Sequence, residues 1–400
     1  MKLSKTIFAH LKGDRFIWAI IGLLAVFSFL PVYSAASNLA YIKGDGNTLR
    51  FLVKHGMHLL LGFVILIGIH KMPYHYFKGL SIILLPFVLV LLVVTLAQGT
   101  VMQGANASRW IQIPFVGVSF QTSTLAAVVL MVYVARYLAR IKDVQVTLKD
   151  TLVPLWLPVA GVLLLILPAN FSTTAILFAM VITLVFLGGY PWKHLLAIIG
   201  MGLAGLLLFI LVAKAFPDLF QNRVSTWESR VQNFMDDTVD ADADYQIEKA
   251  KIAIASGGAL GLGPGKSVQK NFLPQSSSDF IYAIIAEEYG LLGAFALLVL
   301  YMLLLFRLVV VAHKADHVFG KLVVIGVGLP IIFQALINMA VAVQLFPVTG
   351  QTLPLVSSGG TSIWMTCLAL GIVLSVSAKR EAQRKETAEL NPLDILSETI

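Results

Sequence analysis

The sequence is poor in cysteine and in charge. It has a single cysteine, Cys367, in 400 residues, which excludes an intrachain disulfide and a metal site built from several thiolates. Only 12% of the residues are charged and 58% are hydrophobic, whereas a soluble domain of this size needs a far more polar surface. Because no basic patch is interleaved with aromatic residues, nucleic acid is not an expected partner. The sequence therefore predicts an integral membrane protein in contact with membrane lipids.

Long apolar runs predict an all-α, polytopic fold in a single membrane domain, 1–400. A helix needs about 20 mostly apolar residues to span a bilayer. The first run is too long for a signal-peptide core and lacks an A-x-A cleavage site, so we interpret it as a retained helix. The fifth run is short and ends at Pro168. The ten candidate spans lie near 16–38, 51–70, 77–98, 121–139, 152–168, 171–189, 192–215, 279–307, 320–346 and 360–378.

The distribution of lysine and arginine predicts how these spans are oriented. Ten spans place both termini on one side, and that side collects 18 of the 29 basic residues, while the short loops of the opposite side hold four. Short loops carry the positive-inside signal. We therefore predict that both termini, including the tail at 379–400, are cytoplasmic.

Polar segments gather on the opposite, extracytoplasmic side. The longest is the loop at 216–278, between the seventh and eighth spans, and loops longer than about 15 residues are uncommon unless they are functional or disordered. Within it, Ile247, Ala250, Ile254 and Ala255 follow a helical period, which predicts a helix lying at the membrane interface. The chemistry is therefore expected at the outer boundary of the membrane.

The stretch GGALGLGPGKSVQK, at 257–270, suggests a phosphate site. Glycines such as Gly263 and Gly265 let backbone N–H groups approach an anion, and Lys266 and Lys270 add positive charge. It is not a Walker A loop, because the glycine spacing is wrong and no strand precedes it. The alternative is that the glycines only let the loop turn tightly. Both interpretations stay open from the residues alone.

Two other patterns resemble metal sites only in part. The acidic turn at 240–244 lacks the glycine and the final glutamate of a calcium loop, so a solvated turn is the better interpretation. The pairs His55/His58 and His313/His317 have helical spacing but no third ligand nearby, which favours ordinary histidines over zinc ligands.

Asp279 is the candidate catalytic residue. It follows three serines, and a cap from Ser277 or Ser278 would place it in the first turn of the eighth helix. The helix dipole stabilises an ionised carboxylate there. Such a group is suited to take a proton from a sugar hydroxyl that attacks an activated sugar, with a lipid-linked phosphate as leaving group. The alternative is an ordinary N-terminal acid.

The eighth helix has one face of small or polar residues, which we expect to line a cleft. At 1.5 Å per residue, Glu287 and Glu288 would lie about 12–13 Å deeper than Asp279. Carboxylates at that depth must face protein or water. The members of this face are Asp279, Tyr282, Ala283, Ala286 and Glu287.

Several motifs in the same order resemble the SEDS family of polytopic cell-wall glycosyltransferases. The segment NFLPQSSSDFIYAIIAEEYGLLGA, at 271–294, is similar to the family's LPE-x-HTDFIF-x-x-x-x-EELG, which aligns the family's catalytic aspartate with Asp279. Two further motifs match at 245–267 and 333–362. The run ASRWIQI matches the family's A-x-RWI and places its outer-loop arginine at Arg109.

The chain departs from the family pattern at several polar positions. Thr124 and Ala127 stand where the family has a glutamate and a lysine. Asn170 stands at the acidic position of P-D-L-G-T, and Gln275 and Ser277 replace a glutamate and a histidine. The electrostatics of the site are therefore expected to differ from the family pattern.

The resemblance implies polymerisation of lipid II at the outer face of the plasma membrane. The N-acetylglucosamine 4-hydroxyl would attack the muramyl anomeric carbon, and undecaprenyl pyrophosphate would leave with inversion, with Asp279 as general base. No cofactor is implied, although a divalent cation is an alternative. The candidate substrate-binding residues are Arg109, Lys266 and Lys270, for the pyrophosphate, with Gly263, Gly265, Ser358, Gly359 and Gly360.

The resemblance also implies a class B penicillin-binding protein as partner, and it favours the division machinery over the elongation machinery. Two other functions stay open. A lipid II flippase would use Glu287, Glu288, Gln334 and Asn338 to line a path, although transporters usually bind near the bilayer midplane. A non-catalytic scaffold would recruit division proteins without using Asp279.

Overall fold

A computed structural model of the chain describes residues 12–42, 47–98, 101–102, 105–106, 109–112, 119–215, 241–273 and 275–389. The first part of the predicted outer loop, 216–240, and the end of the predicted tail, 390–400, lie outside the described residues. The same holds for the side chains of the acidic turn at 240–244.

The described residues are almost entirely helical. The helices are α1 (Arg15–Ile42), α2 (Thr48–Lys71), α3 (Tyr76–Gln98), α4 (Thr122–Ile141), α5 (Leu148–Ile166), α6 (Phe171–Leu187), α7 (Trp192–Ala215), α8 (Ala241–Gly257), α9 (Ile281–His313), α10 (Val318–Ala342) and α11 (Gly360–Glu389). Two antiparallel pairs of short strands join α3 to α4: β1 (Val101–Met102) with β2 (Ala105–Asn106), and β3 (Trp110–Gln112) with β4 (Ser119–Gln121).

Nine of the helices in the described part of the chain are long and apolar enough to cross a membrane, and α6 is a shorter apolar helix. This confirms the predicted all-α, polytopic architecture. The fifth span is longer than predicted, because a capping box of Thr147 and Asp150 starts α5 at Leu148. A π-helical turn at Leu152–Trp156 then continues the helix, so the shortest span is the sixth.

The helices differ in how much of their surface the protein covers. In α10 and α11 most of the apolar span is buried, and α11 packs along α2 while α10 packs against α4 and α9. By contrast, α7 contacts the bundle weakly, through α6, and leaves most of its apolar side chains exposed. Exposed apolar surface of this kind suits a lipid environment.

The long helix α9 is broken at Gly290, which has φ 65° and ψ −169°, a region open essentially to glycine alone. Its backbone pairs there with the glycine loop at 258–263 instead of with itself. The N–H of residue 262 donates to the carbonyl of 287 and that of 263 to the carbonyl of 288, both at 2.9 Å. In return, the N–H of residue 291 donates to the carbonyl of 258 and that of 292 to the carbonyl of 259. The four groups that a straight helix would join to one another are therefore satisfied by the loop.

The break also bends the helix. The phenol oxygen of Tyr282 lies 3.5 Å from the carbonyl oxygen of Ala294. In a straight helix these residues would be about 18 Å apart along the axis, beyond the reach of a tyrosine. The break lies beyond Glu287 and Glu288 along the chain, so the depth predicted for these two residues stays a prediction.

The predicted loop helix forms as α8 and packs on the first part of α9. Ala250 and Ala253 form a small buried cluster with Phe280, Ala283 and Ile284. Of the face that was expected to line a cleft, Ala283, Ala286 and Glu287 are covered by α8 and the glycine loop, so the prediction is wrong for them, whereas Asp279 does line a cavity. The buried face of α8 carries Ile247, Ala250 and Ala253, whereas Ala255, which was predicted to lie on its apolar face, is exposed.

Candidate active site

Asp279 lies in a tight turn at 275–280, before α9 and not in its first turn as predicted. The N–H groups of Ser278 and Phe280 both donate to the carbonyl of Gln275, at 3.1 and 3.2 Å. The helix begins at Ile281, and Phe280 occupies the N-cap without a side-chain cap. The serines are therefore part of the turn and do not cap the helix.

Serines from the segment before α11 hold this turn. The N–H and the hydroxyl of Ser358 both donate to the carbonyl of Ser277 at 2.9 Å. The hydroxyl of Ser357 donates to the carbonyl of Ser278 at 2.6 Å and accepts a hydrogen bond from the N–H of Leu353. These bonds engage two successive carbonyls of the turn, which explains why the helix does not extend back to Asp279.

Asn338, on α10, completes the support of Asp279. Its side-chain Nδ2 donates at 2.7 Å to the backbone carbonyl of Asp279 and at 2.7 Å to that of Gln351. Asn338 is buried. Its two hydrogen bonds tie the turn that carries Asp279 to the segment before α11. Nothing in the sequence pattern pairs these three residues.

The Asn338→Leu variant removes both of these bonds from the carbonyls of Asp279 and Gln351. We expect the polymerisation of lipid II that the family resemblance implies to fall by roughly 10²-fold in kcat with little change in KM, because the carboxylate is displaced while substrate contacts remain. Steady-state kinetics on the purified protein measures this split. Asn338→Gln is the matched variant, and activity of Asn338→Leu equal to wild type would contradict a positioning role.

A cavity of about 530 Å³ lies beside Asp279. Its polar end is lined by Arg109, Trp110, Gln275, Asp279, Gln351 and Ser358. Along α4 the lining descends from Thr124 to Met131, about 10 Å at 1.5 Å per residue. The far end is apolar and lies between α4, α6, α10 and α11, with Met131, Leu177, Met180, Val327, Ile331 and Met365. The cavity is thus amphiphilic, with a polar end and an apolar end.

Arg109 and Asp279 are the only charged side chains on the described lining of this cavity. Nε of Arg109 donates at 2.7 Å to the carbonyl of Ala169, at the end of the connection between α5 and α6. This bond fixes the guanidinium at the polar end. The structure therefore brings Arg109 and Asp279, which were predicted separately, to the lining of one cavity, while their roles stay predictions.

Four of the five positions where the chain departs from the family pattern lie on this cavity, and the fifth, Ser277, lies on a second cavity beside it. Thr124, Ala127, Asn170 and Gln275 line the first of these cavities, although they come from separate segments. Asn170 has a structural task there, because its Oδ1 accepts the N–H of Thr173 and caps α6. These neutral residues therefore alter the electrostatics of one site, as the sequence predicted, and the structure adds that they share one cavity.

The glycine loop does not reach this cavity in the described residues. Nζ of Lys270 donates to the carbonyl of Gly265 at 2.7 Å and to the hydroxyl of Ser34 at 3.2 Å, and Lys266 lies along Gly263. The N–H of Gly263 is used by α9. The structure therefore favours tight packing as the task of the glycines, and their phosphate role stays a prediction. Of the other predicted binding residues, Ser358 and Gly359 line this cavity, whereas Gly360 lines a second cavity next to it.

Glu287 and Glu288 hold the glycine loop in place. Both are buried, and Glu287 accepts hydrogen bonds from the N–H of Val268, at 2.9 Å, and from the hydroxyl of Ser267. Glu288 accepts from the hydroxyl of Ser34 and from the N–H of Ser267. They face protein, as buried carboxylates must. Gln334 lines the cavity, whereas Asn338 lies behind Asp279 and the two glutamates bind the glycine loop. The four residues that a flippase would use therefore do not line one path.

Neither histidine pair lines the cavity beside Asp279. Nε2 of His55 is 2.8 Å from the hydroxyl of Ser28, and the imidazole of His58 meets the indole of Trp364 edge to face. His313 and His317 flank the short turn between α9 and α10. Among the residues that the structure describes, no three His, Cys, Asp or Glu side chains are grouped to hold a metal ion.

Fold and site together define a polytopic membrane protein with a carboxylate and an arginine at one end of an amphiphilic cavity. The sequence matches the FtsW/RodA/SpoVE family, described as "Cell cycle protein", over residues 14–382, and the chain belongs to this family. Within it, the chain is most like FtsW. The family resemblance predicted from the motifs is confirmed.

Relatives and solved structures support this assignment. A probable peptidoglycan glycosyltransferase FtsW of Halomonas elongata is 32% identical over 379 residues, 92% of each chain. The corresponding protein of Nitrosococcus halophilus is 32% identical over 336 residues, 83% of this chain and 84% of that one.

Two solved structures share the fold. One was described under "Structural coordination of polymerization and crosslinking by a peptidoglycan synthase complex" and has a TM-score of 0.70, with 28% identity over 92% of this chain and 98% of that one. The other is the rod shape determining protein RodA of Thermus thermophilus, with a TM-score of 0.64 and 26% identity over 92% and 97% of the two chains.

Proposed function

We propose that this chain is a peptidoglycan glycosyltransferase that joins lipid II units into glycan strands at the outer face of the plasma membrane, with both termini in the cytoplasm. The observation that carries the proposal is the place of Asp279, at the polar end of a cavity whose other end is apolar. Lipid II has the matching form, a sugar pyrophosphate on a prenyl chain. The names of the relatives support the same activity.

Asp279 acts as general base in this proposal. It takes the proton of the acceptor's 4-hydroxyl as that oxygen forms a bond to the anomeric carbon of the donor sugar. The bond from the same carbon to the pyrophosphate oxygen breaks, and its electron pair leaves with undecaprenyl pyrophosphate. A single displacement of this kind inverts the anomeric centre.

Arg109 stabilises the negative charge that grows on the departing pyrophosphate. A fixed guanidinium does so with little reorganisation, because its bond to Ala169 already holds it. The family's acidic and basic positions near it are neutral here, so Arg109 takes a larger share of this task. A divalent cation at the pyrophosphate stays a prediction, as do the roles of Lys266 and Lys270.

The partner in this proposal is a class B penicillin-binding protein, which supplies the transpeptidation. Support comes from the similar chain that was described in a complex coordinating polymerization and crosslinking. The likeness to FtsW favours division over elongation as the setting.

Two assays on the purified protein test the function. With its partner and lipid II, we expect long glycan strands on gels, and in sealed liposomes we expect no translocation of lipid II. The cavity favours polymerisation because its charged groups lie at one end and not on a path through the bundle. Translocation of lipid II without polymer would establish the flippase instead. If the protein showed neither polymerisation nor translocation, only the scaffold function would remain.

A further inference from the structure

A second cavity, of about 280 Å³, adjoins the first and is not used in the mechanism above. Trp110, Ser358 and Gly359 line both cavities and form the wall between them. On the turn that carries Asp279, Ser278 faces the first cavity and Ser277 the second. The second cavity lies between α1, α2 and the start of α11.

The lining of the second cavity is basic. Lys54, His55 and His58 reach it from one stretch of α2, and no carboxylate lies on its described lining. Lys54 and His58 are four residues apart, on one face of the helix. Lys54 is exposed and forms no ion pair in the part of the chain that the structure describes.

The start of α11 adds to the positive potential of this cavity. Gly360, its first residue, and Thr361 lie on the lining, where a helix of this length presents free N–H groups and the positive end of its dipole. A Cβ on Gly360 would lie 2.8 Å from Nε2 of His58, so the imidazole sits directly against the helix start. Glycine at 360 is what allows this approach.

The cavity also contains a buried polar group whose hydrogen bonding is incomplete. His55 lines it and is 2% exposed. Its Nε2 bonds to Ser28, but its Nδ1 has no hydrogen-bond partner among the described residues. Buried polar groups are nearly always paired, so an unpaired one on a cavity wall points to a polar ligand.

We propose that the second cavity binds the phosphate groups of a second lipid-linked substrate. The inference rests on the proposed function: polymerisation joins two lipid-linked pyrophosphates, and only one of them leaves. The other must be held beside the reacting sugars, and an ammonium, imidazoles and helix N–H groups are donors that suit phosphate. The shared wall of Trp110, Ser358 and Gly359 places this anion beside the cavity that Asp279 lines.

The test counts bound ligands. Native mass spectrometry of the purified full chain with undecaprenyl pyrophosphate is expected to show two bound molecules for wild type and one for Lys54→Gln. Lys71→Gln, at the exposed far end of the same helix, is the matched control and should bind two. Lys54→Arg should restore the second molecule. Equal melting temperatures of the variants show that binding, not folding, has changed.

Kinetics and lipid composition complete the test. Lys54→Gln should raise KM for lipid II about tenfold and leave kcat within about threefold, because the catalytic pair is intact. An anionic phospholipid headgroup offers the same chemistry, so binding is repeated in phosphatidylcholine nanodiscs with and without phosphatidylglycerol. If Lys54→Gln alters only phosphatidylglycerol retention, or alters nothing, the inference is overturned. If the inference is overturned but the wild-type protein still makes glycan polymer, the proposed function stands. If the wild-type protein makes no polymer, the proposed function itself has failed.

Discussion

Replacing Asp279 with asparagine is expected to lower lipid II polymerisation by about 10²- to 10⁴-fold, the usual contribution of a general base. The substitution keeps the size of the side chain and removes only its capacity to accept the proton. The turn should persist, because it is held through the backbone carbonyls of Ser277, Ser278 and Asp279. Initial rates of glycan formation by the purified protein with its partner measure the loss.

Two further variants make this result specific. Asp279→Glu moves the carboxylate by about one methylene and should retain part of the activity, since a displacement of about 1 Å costs up to 10²-fold. Glu248→Gln removes an exposed carboxylate from α8 and should remain within twofold of wild type. Asp279→Asn with nearly full activity, while it binds lipid II normally, would exclude the proposed base.

The Gly290→Ala variant is expected to destabilise the protein by more than about 3 kcal/mol and to abolish activity. The backbone at Gly290 lies in a region that costs other residues about 1–3 kcal/mol. A Cβ there would also lie 2.4 Å from both the carbonyl oxygen of Ala259 and the N–H nitrogen of Gly261. Because these contacts are with backbone, the loop must move away and its four hydrogen bonds to α9 are lost.

Gly258→Ala is the matched control for this effect. Gly258 also has a positive φ, 54°, but nothing lies within 4 Å of a Cβ built there. It should cost only about 1–2 kcal/mol, the penalty of the left-handed conformation. Thermal unfolding of the detergent-solubilised variants compares the two, and equal melting temperatures for Gly290→Ala and wild type would contradict the close approach.

The regular parts of this molecule follow from local signals. The apolar runs predicted the spanning helices, and the helical period in 247–255 predicted α8, because both depend on neighbours along the chain. The ends of the helices were less predictable than the helices themselves. Asp279 was expected inside a helix, but carbonyls of its turn are bound by Ser357, Ser358 and Asn338, which are remote in sequence.

The candidate site was predictable in its charged members and not in its arrangement. Motifs identified Asp279 and Arg109, which the fold brings to one cavity. Lys266 and Lys270 lie near Asp279 in sequence, yet the glycine loop turns to the other side of α9, where Glu287 and Glu288 bind it. A straight helix was assumed for α9, and only the break at Gly290 allows the loop to dock there.

The crossed backbone pairing at Gly290 has a consequence for how the chain matures. The stretch from 291 to 313 can insert into a bilayer as an ordinary span, but the stretch from 281 to 290 completes its backbone pairing only after 258–263 has arrived. Insertion of the apolar span and completion of this pairing are therefore separate requirements, and a protein that meets only the first is expected to be embedded in the lipid and inactive.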